Sequence, residues 1–362
     1  MTPVRSLFMA PQWIGDAVMT QPFVAALKAR HERITVAALP WVAPVYELMP
    51  ECDEVMVLPW PKKGLSLKLR WEWARAQRHR FDRAYLGPNT FKSALLPLWA
   101  GIPQRVGYQG ESRSWLLTHV LPNPRHDKSL AMVDFYNALA KPFEHGDVKL
   151  CAQEPGHAVS STASAASAVS RPQLSLENVE IAKTLETLGL ASGEYVVVAC
   201  GAEYGPAKKW PHEHFARLIV KTPWPVLMLG SNKDSLDAEK IVKMVHALGG
   251  SRVIDLTGRT SLREAFAWIA GAKGLVSNDS GLMHVGAALG VSQVALFGSS
   301  SAEHTPALNE RATMIWLKQD PDYSPPLTCA PCFKRVCPLG HTRCLEDLGV
   351  ERVLPHVLSW QD

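Results

Sequence analysis

The stretch Ser277-Asn278-Asp279-Ser280-Gly281-Leu282-Met283-His284 joins an apolar run to a helix of small residues. The run Gly274–Val276 before it is typical of a buried strand, and Val285–Leu289 after it is typical of a closely packed helix. A turn of this kind presents the first backbone N–H groups of the helix and the positive end of its dipole. Such a position suits a diphosphate. The sequence therefore predicts an α/β unit with an anion site in the second half of the chain.

Length and composition predict two globular α/β domains. The chain has 362 residues, which is more than one ordinary core accommodates. Its hydrophobic fraction of 47% and charged fraction of 20% are typical of soluble proteins. No uncharged apolar run reaches membrane-spanning length, and the first residues lack the apolar segment of a signal peptide. We therefore expect a cytoplasmic protein without a transmembrane helix.

Short apolar runs alternate with helical patterns along both halves of the chain. The predicted strands are Ser6–Ala10, Ile34–Leu39, Glu54–Leu58, Arg83–Leu86, Arg105–Tyr108, Tyr195–Cys200, Val226–Leu229, Val253–Leu256, Gly274–Ser277 and Gln293–Phe297. The predicted helices are Ala17–Arg30, Val42–Met49, Leu67–His79, Phe91–Ala100, His212–Lys221, Leu236–Leu248, Leu262–Ala272 and Leu282–Leu289. This rhythm predicts an α/β fold of two Rossmann-like, doubly wound domains that face each other across a cleft.

An Ala/Ser-rich segment separates the two halves. Residues 158–170 show neither a helical nor a strand period, and we interpret them as a flexible linker or an insertion, although their Ala content also allows a helix. The predicted division is an N-terminal domain at residues 1–175 and a C-terminal domain at residues 176–345. A final helix is expected at residues 346–362.

Asp16 ends a loop, Pro11-Gln12-Trp13-Ile14-Gly15-Asp16, that follows the first predicted strand. An Asp directly before Ala17 is an ordinary helix N-cap, and this interpretation stays open. Pro22 suggests that the regular helix begins after Asp16, which would leave the carboxylate facing the cleft. The loop is not a G-x-G-x-x-G fingerprint, so it gives little support to a dinucleotide site.

A second loop, Gly201-Ala202-Glu203-Tyr204-Gly205-Pro206-Ala207-Lys208-Lys209-Trp210-Pro211, follows another predicted strand. Lysine is a point charge that can meet a phosphate oxygen. A solvated surface loop is the alternative, but the loop belongs to the same domain as Asp279, and this favours a phosphate contact. His284 lies on the helix after Asp279. A lone helical His is more often structural, although a hydrogen-bond donor is useful beside a diphosphate.

The segment Trp60–Arg125 is strongly basic, with twelve Lys or Arg against three acidic residues. Such a segment attracts an acidic partner: nucleic acid, an anionic lipid headgroup or a phosphorylated sugar. Interleaved Trp residues are suited to bases, sugar faces or a membrane interface. The alternative is a solvated helix face at Lys68–Arg83. We expect no nucleic acid, because the anion site of the second domain would then have no role.

Four of the seven cysteines, Cys329, Cys332, Cys337 and Cys344, fall within sixteen positions. Because cytosolic thiols are kept reduced, this clustering favours zinc over disulfides. The spacing is not that of a standard zinc ribbon, so a structural zinc ion, plain reduced thiols and redox chemistry all stay open. The chain contains no H-E-x-x-H, P-loop or G-x-S-x-G motif, and we expect catalysis without a cofactor.

Together these motifs resemble those of the bacterial lipopolysaccharide heptosyltransferases, which are glycosyltransferases of the two-Rossmann-domain GT-B type. The resemblance rests on Gly15-Asp16, the loop Gly201–Pro211 and the stretch Asn278–His284, and it extends to Asn89–Ala94 and Ala100–Pro103. It covers most of the chain. It is closest to the type II members, because type I members usually carry a Thr pair in place of Glu203-Tyr204. The Ala/Ser-rich segment and the cysteine cluster depart from the pattern.

The resemblance implies inverting, metal-independent transfer of L-glycero-D-manno-heptose from ADP-heptose to heptosyl-Kdo2-lipid A. This anionic glycolipid acceptor would lie at the inner face of the inner membrane, where the protein would be peripheral. The type I activity, another core sugar transfer and a non-catalytic nucleotide-sugar-binding module are the alternatives. The implied catalytic residues are Asp16, as base, and Lys208. The implied donor-binding residues are Glu203, Tyr204, Lys208, Asp279, Ser280, Gly281, Leu282 and His284. The implied acceptor-binding residues are Lys62, Lys63, Asn89, Lys92 and Arg113.

Overall fold

The computed structural model describes residues 2–61, 64–124, 127–143 and 171–361. The chain divides into two compact units, Met1–Pro172 and Gln173–Asp362. Each unit is built on a six-stranded parallel sheet, so the predicted pair of doubly wound α/β domains is confirmed. The Ala/Ser-rich segment at 158–170 and the predicted acceptor residues Lys62 and Lys63 lie outside the described residues.

The first unit begins with a strand and alternates strands with helices. Its strands are β1 (Arg5–Met9), β2 (Arg33–Ala38), β3 (Glu54–Val57), β4 (Arg83–Leu86), β5 (Gln104–Tyr108) and β6 (His119–Leu121). Its helices are α1 (Ile14–Met19), α2 (Gln21–Ala29), α3 (Ala43–Tyr46), α4 (Leu67–Ala76), α5 (Phe91–Trp99) and α6 (Met132–Asn137).

The first sheet has the strand order β3-β2-β1-β4-β5-β6. Its register pairs Leu7 of β1 with Ala84 of β4. The apolar side chains of β1 are fully buried, and the Phe8 ring lies 4.9 Å from that of Phe23 on α2. Parallel strands buried on both faces read as continuous apolar runs. The chain reverses its direction of sheet growth between β1 and β4, and such a switch point opens a crevice at the carboxyl ends of the strands.

The second unit repeats this architecture. Its strands are β7 (Val196–Ala199), β8 (Val226–Met228), β9 (Val253–Asp255), β10 (Gly274–Asn278), β11 (Gln293–Phe297) and β12 (Ala312–Trp316). Its helices are α7 (Asn178–Glu186), α8 (His212–Lys221), α9 (Ser235–Ala247), α10 (Leu262–Ala270), α11 (Gly281–Ala288), α12 (Arg343–Glu346) and α13 (Val350–Leu358).

The second sheet has the order β12-β11-β10-β7-β8-β9, so its switch point lies between β7 and β10. The register pairs Ser277 of β10 with Ala199 of β7. The final helix, α13, packs its buried residues Val350, Val353 and Val357 into the core of this unit. Its neighbours there include strand and helix residues such as Val276 and Phe215.

The predicted start of the first helix is wrong. The sequence places it after Asp16, but α1 begins at Ile14 with Trp13 as its N-cap, and Asp16 lies in its first turn. Pro22 occupies the first turn of a separate helix, α2, where the missing N–H of proline costs nothing. Asp16 is therefore neither the N-cap nor a residue of an irregular loop. Among the described residues, no helix combines the length and the apolar composition needed to cross a bilayer.

Candidate functional site

The switch point of the second sheet brings two predicted loops together. The loop 201–211 follows β7 and the turn 279–281 follows β10, and these strands are hydrogen-bonded neighbours. Because parallel strands end at the same edge of a sheet, the two loops share the crevice that α/β proteins use for ligands. The donor-binding residues that were predicted from separate motifs therefore come from one edge of one sheet.

Asn278, the last residue of β10, fixes the position of the loop after β7. Its amide nitrogen donates to the Cys200 carbonyl at 2.7 Å, and its side-chain oxygen accepts from the Trp210 backbone N–H at 3.0 Å. Asn278 is fully buried. A buried amide with both ends bonded orders the groups that it joins, because leaving either end unpaired is costly. One side chain thus holds both the entrance and the exit of the loop.

Lys208 and Asp279 form a largely buried ion pair at this edge. The Nζ–Oδ2 distance is 2.5 Å, and the side chains are 17% and 5% exposed. Asp279 also accepts weakly from the Thr305 hydroxyl at 3.5 Å. The pair leaves the ammonium of Lys208 at the edge of the sheet where α11 begins. A mobile anion could therefore approach the ammonium and the first N–H groups of α11 together.

Ser280 is the N-cap of α11, and Gly281 and Leu282 are its first residues. Within the described residues, the hydroxyls of Ser280, Ser299 and Ser300 are buried and have no hydrogen-bond partner. Ser299 and Ser300 follow β11, the strand beside β10, and sequence reasoning missed them. The feature that could have indicated them is the run Gly298-Ser299-Ser300-Ser301, which comes directly after a predicted strand. Unsatisfied buried hydroxyls beside a helix N-terminus are suited to phosphate oxygens.

His284 lies on α11 and is 6% exposed. Burial lowers the pKa of its imidazole to about 4, although the Asp279 carboxylate opposes that shift; the Lys208 ammonium adds to it. The ring is therefore neutral at neutral pH. If His284 contacts a nucleotide, it does so as a neutral hydrogen-bonding group and not as a cation.

Glu203 and Tyr204 occupy the outer part of the loop after β7. Glu203 is exposed and pairs with Lys233. The Tyr204 hydroxyl donates to the Phe333 carbonyl at 2.8 Å, and the centroid of its ring lies 5.3 Å from Lys208 Nζ and 4.9 Å from Arg335 Cζ. Tyr204 therefore helps to position Lys208 from outside the sheet.

The first unit holds Asp16 in a partly buried position after β1. The Tyr136 hydroxyl on α6 donates to Asp16 Oδ1 at 3.1 Å. Burial, with the Asp16 charge adding to it, raises the pKa of Tyr136 well above its usual value, so the phenol stays protonated and donates. A carboxylate at the switch point, held by a phenol, is a suitable proton acceptor. Tyr136 was missed because nothing local in the sequence connects residues 16 and 136.

Arg113, a predicted acceptor-binding residue, holds the loop after β4. Its side chain is fully buried, and its guanidinium donates to the carbonyls of Pro88 and Tyr108 and to Asn89 Oδ1 at 2.9 Å. Burial lowers its pKa to about 10. Arg113 therefore shapes the loop after β4, and its contact with the acceptor stays a prediction. Asn89 and Lys92 are both half-buried at that loop and at the start of α5.

Comparison with known proteins identifies the family. Residues 70–343 match the profile of glycosyltransferase family 9 (heptosyltransferase). The chain belongs to this family. It is 36% identical over 321 residues to lipopolysaccharide heptosyltransferase 2 of Escherichia coli K12, covering 87% of this chain and 88% of that protein. It is 34% identical over 326 residues to lipooligosaccharide heptosyltransferase 2 of Haemophilus ducreyi, covering 87% and 89%.

A solved structure agrees with this assignment. The E. coli ADP-heptose lipopolysaccharide heptosyltransferase II matches with a TM-score of 0.79 and 32% identity, over 99% of this chain and 98% of that one. The predicted recognition of the family, with the type II members closest to its pattern, and the predicted fold class are therefore confirmed.

Replacing Lys208 by Ala should weaken ADP binding about 10- to 100-fold, because a hydrogen bond to a charged group contributes about 1.5–3 kcal/mol. Isothermal titration with ADP measures this effect. Lys209→Ala is the matched control, since Lys209 pairs with Asp237 at 2.6 Å instead of with Asp279. In Lys208→Ala the Asp279 carboxylate loses its ion-pair partner, and the double variant Lys208→Ala/Asp279→Asn removes this unpaired charge as well. Parental ADP affinity in Lys208→Ala, or its full recovery in the double variant, would contradict a direct contact.

The buried neutral His284 should make the protein less stable in mild acid. Its pKa in the folded state is about 4 and that of an unfolded His is near 6.5. The unfolded chain therefore binds the extra proton first, and stability is lost as pH falls from 6.5 towards 4. His284→Gln removes this effect. Between pH 7 and pH 5, the parent should lose about 2 kcal/mol more unfolding free energy than the variant, measured in urea. An equal loss in both proteins would show that His284 titrates normally.

Proposed function

We propose that this protein is an inverting heptosyltransferase. It moves L-glycero-D-manno-heptose from ADP-heptose to heptosyl-Kdo2-lipid A in the synthesis of the lipopolysaccharide inner core. The observation that carries the proposal is the buried Lys208–Asp279 pair beside Ser280 at the start of α11, where a diphosphate is best accommodated. Sequence similarity to type II heptosyltransferases over 87% of the chain supports the choice of sugar donor and acceptor.

In the proposed reaction, Asp16 is the general base. It removes the proton from the acceptor hydroxyl while that oxygen attacks the anomeric carbon of the heptose. The bond between that carbon and the β-phosphate oxygen of ADP breaks in the same step, so the configuration inverts. General-base help of this kind contributes about 10²–10⁴-fold to a rate. Tyr136, which donates to Asp16 Oδ1, keeps the carboxylate oriented and so is a positioning residue.

The leaving ADP accumulates negative charge on its β-phosphate, and the second unit supplies groups to stabilise it. Lys208 provides a positive charge, and the backbone N–H groups at Ser280–Leu282 provide the positive end of α11. Stabilisation of developing charge by fixed donors in a partly buried site is among the largest contributions to enzyme catalysis. These groups belong to the protein, and the proposed reaction requires no metal ion.

We also propose that the protein works at the inner face of the inner membrane, but its basic segment is less exposed than the charge count predicts. Arg70 is 6% exposed; its Nε donates to the Leu65 carbonyl at 2.8 Å, and its guanidinium covers the Trp60 ring. Arg83 pairs with the buried Glu32 at 3.1 Å. Arg70 and Arg83 therefore contribute little charge to a membrane-facing surface.

In this proposal, exposed apolar side chains also contribute to the contact with the membrane. Leu65, Leu67 and Trp71 are 61%, 50% and 44% exposed at and just before α4, and we call them the α4 patch. Leu67 and Trp71 are four residues apart and so share one helix face. Lys68 and Arg75 lie beside them, and the Arg75 guanidinium is 4.7 Å from the Trp71 ring. A helix that combines exposed Leu and Trp with basic residues is typical of binding at an anionic membrane interface.

The transfer reaction tests the function directly. Incubation with ADP-heptose and purified heptosyl-Kdo2-lipid A should add the mass of one heptose to the acceptor. Asp16→Asn should reduce turnover about 10²- to 10⁴-fold while ADP affinity stays unchanged. Tyr136→Phe should lower turnover less, again without a change in ADP affinity. Transfer only to Kdo2-lipid A would favour the type I activity. ADP binding without transfer to any acceptor would favour a non-catalytic module, and full turnover by Asp16→Asn would exclude the base role.

The α4 patch is tested by vesicle flotation. Leu67→Ser/Trp71→Ser should reduce binding to phosphatidylglycerol vesicles about tenfold, because two partly buried apolar side chains contribute roughly 1–2 kcal/mol in total at an interface. This loss should persist at high salt, since it does not depend on charge. Leu236→Ser, at a residue that is 72% exposed on α9, is the matched control and should bind normally. Equal vesicle binding by the parent protein, the double variant and Leu236→Ser would show that the membrane contact lies outside the α4 patch.

A further inference from the structure

The four clustered cysteines lie around one small cavity in the second unit. Cys329, Cys332, Cys337 and Cys344 all line it, together with His341, and its volume is about 20 Å³. That volume exceeds the 10–15 Å³ or so that a single water molecule requires. All four cysteines are free thiols. The fold therefore places four cysteine residues from a sixteen-residue segment around one small cavity.

A tight turn follows Cys337. The Gly340 N–H donates to the Cys337 carbonyl at 3.2 Å, and Gly340 allows the turn with a φ of 71°. The chain therefore folds back after Cys337, and both Cys337 and Cys344 line the same cavity.

The chemistry of the cavity selects a soft cation. No Asp or Glu is among its lining residues, so a hard cation such as Mg²⁺ has no suitable ligand there. His341 Nδ1 accepts from the Arg343 backbone N–H at 3.1 Å, which leaves its proton on Nε2 and makes the ring a poor ligand. Lys334 and Arg335 lie between Cys332 and Cys337, where they would partly offset the charge of several thiolates.

We propose that Cys329, Cys332, Cys337 and Cys344 bind a structural zinc ion as four thiolates. Zn²⁺ takes four tetrahedral sulfur ligands in structural sites. Among the described residues, no three His, Cys, Asp or Glu side chains are already arranged as a metal site. Binding therefore requires the thiols to turn from the wall of the cavity towards its centre, with release of their protons to solvent.

The zinc-bound segment would brace the donor loops. The Phe333 carbonyl accepts from Tyr204, and the Arg335 carbonyl accepts from the Ala207 backbone N–H at 3.1 Å. The Phe333 N–H donates to the Ser299 carbonyl at 2.8 Å. A Cβ at Gly205 would lie 2.5 Å from the Arg335 oxygen, so the two backbones approach as closely as glycine permits. Thus the residues between Cys332 and Cys337 hold the loops beside Lys208 and Ser299.

Metal analysis of the full-length protein, purified without chelators from zinc-supplemented cells, tests the proposal. Mass spectrometry of the metal content should find one zinc ion per chain. A mercurial thiol reagent should release it, as followed with a chromogenic chelator. Zinc-free protein, or iron in place of zinc, would overturn the assignment. The zinc content is measured on the parent protein, so the result does not depend on whether a variant folds.

Variants assign the ligands and the bracing role. Cys332→Ser and Cys337→Ser should each lose most of the zinc and lower the melting temperature. Cys52→Ser is the matched control, because Cys52 lies in the first unit, outside the cluster, and it should keep both. If the segment between Cys332 and Cys337 braces the loops beside Lys208, the zinc-free variants should bind ADP more weakly. Of these measurements, only ADP binding rests on the proposed function. Unchanged ADP affinity would refute the brace, and retention of zinc by both variants would refute the ligand set.

Discussion

The amide of Asn278 holds the donor side of this protein together. It joins the end of β10 to both ends of the loop that follows β7, through Cys200 and Trp210. Strand pairing alone brings β7 and β10 side by side but leaves the course of an eleven-residue loop open. With the amide in place, Lys208 returns to the edge of the sheet and meets Asp279, the residue directly after Asn278. The Lys208–Asp279 ion pair and the contact of Tyr204 with Lys208 both depend on this course of the loop.

The fold was largely predictable because its strands are apolar runs separated by helical patterns. The missed strands, β6 and β12, both lie at sheet edges. Edge strands are half-exposed, as Val120 and Met314 are, and so lack the continuous apolar signal. The predicted helix Ala17–Arg30 is divided at Thr20, whose hydroxyl donates to the Ala17 carbonyl. Pro22, in the first turn of α2, marks this break, because proline lacks the N–H that one continuous helix would need there.

The candidate site residues were predictable where they lie in the segments that follow strands. Asp16, Lys208 and Asp279 could be placed in such segments from the sequence alone. Their partners could not, because Tyr136 and Thr305 reach them only through the tertiary fold. Charge counting did not predict the burial of Arg70 and Arg113, since composition does not tell whether a guanidinium faces water or backbone carbonyls. A long arginine can bury its whole length when carbonyl oxygens satisfy its donors.

The Lys208–Asp279 pair is better explained by ligand binding than by stability. Removing two charges from water costs several kcal/mol per ion, and a buried pair often contributes no more to folding than apolar side chains of the same size. A stable fold alone therefore gives little reason to keep this pair at 17% and 5% exposure. Under the proposed function, binding of a diphosphate offsets this cost. Asp279 holds the Lys208 side chain in place while no anion is bound, so an arriving phosphate would meet a cation that has already lost conformational freedom. Preorganisation of this kind would convert an energetic cost in the free protein into affinity for the leaving group.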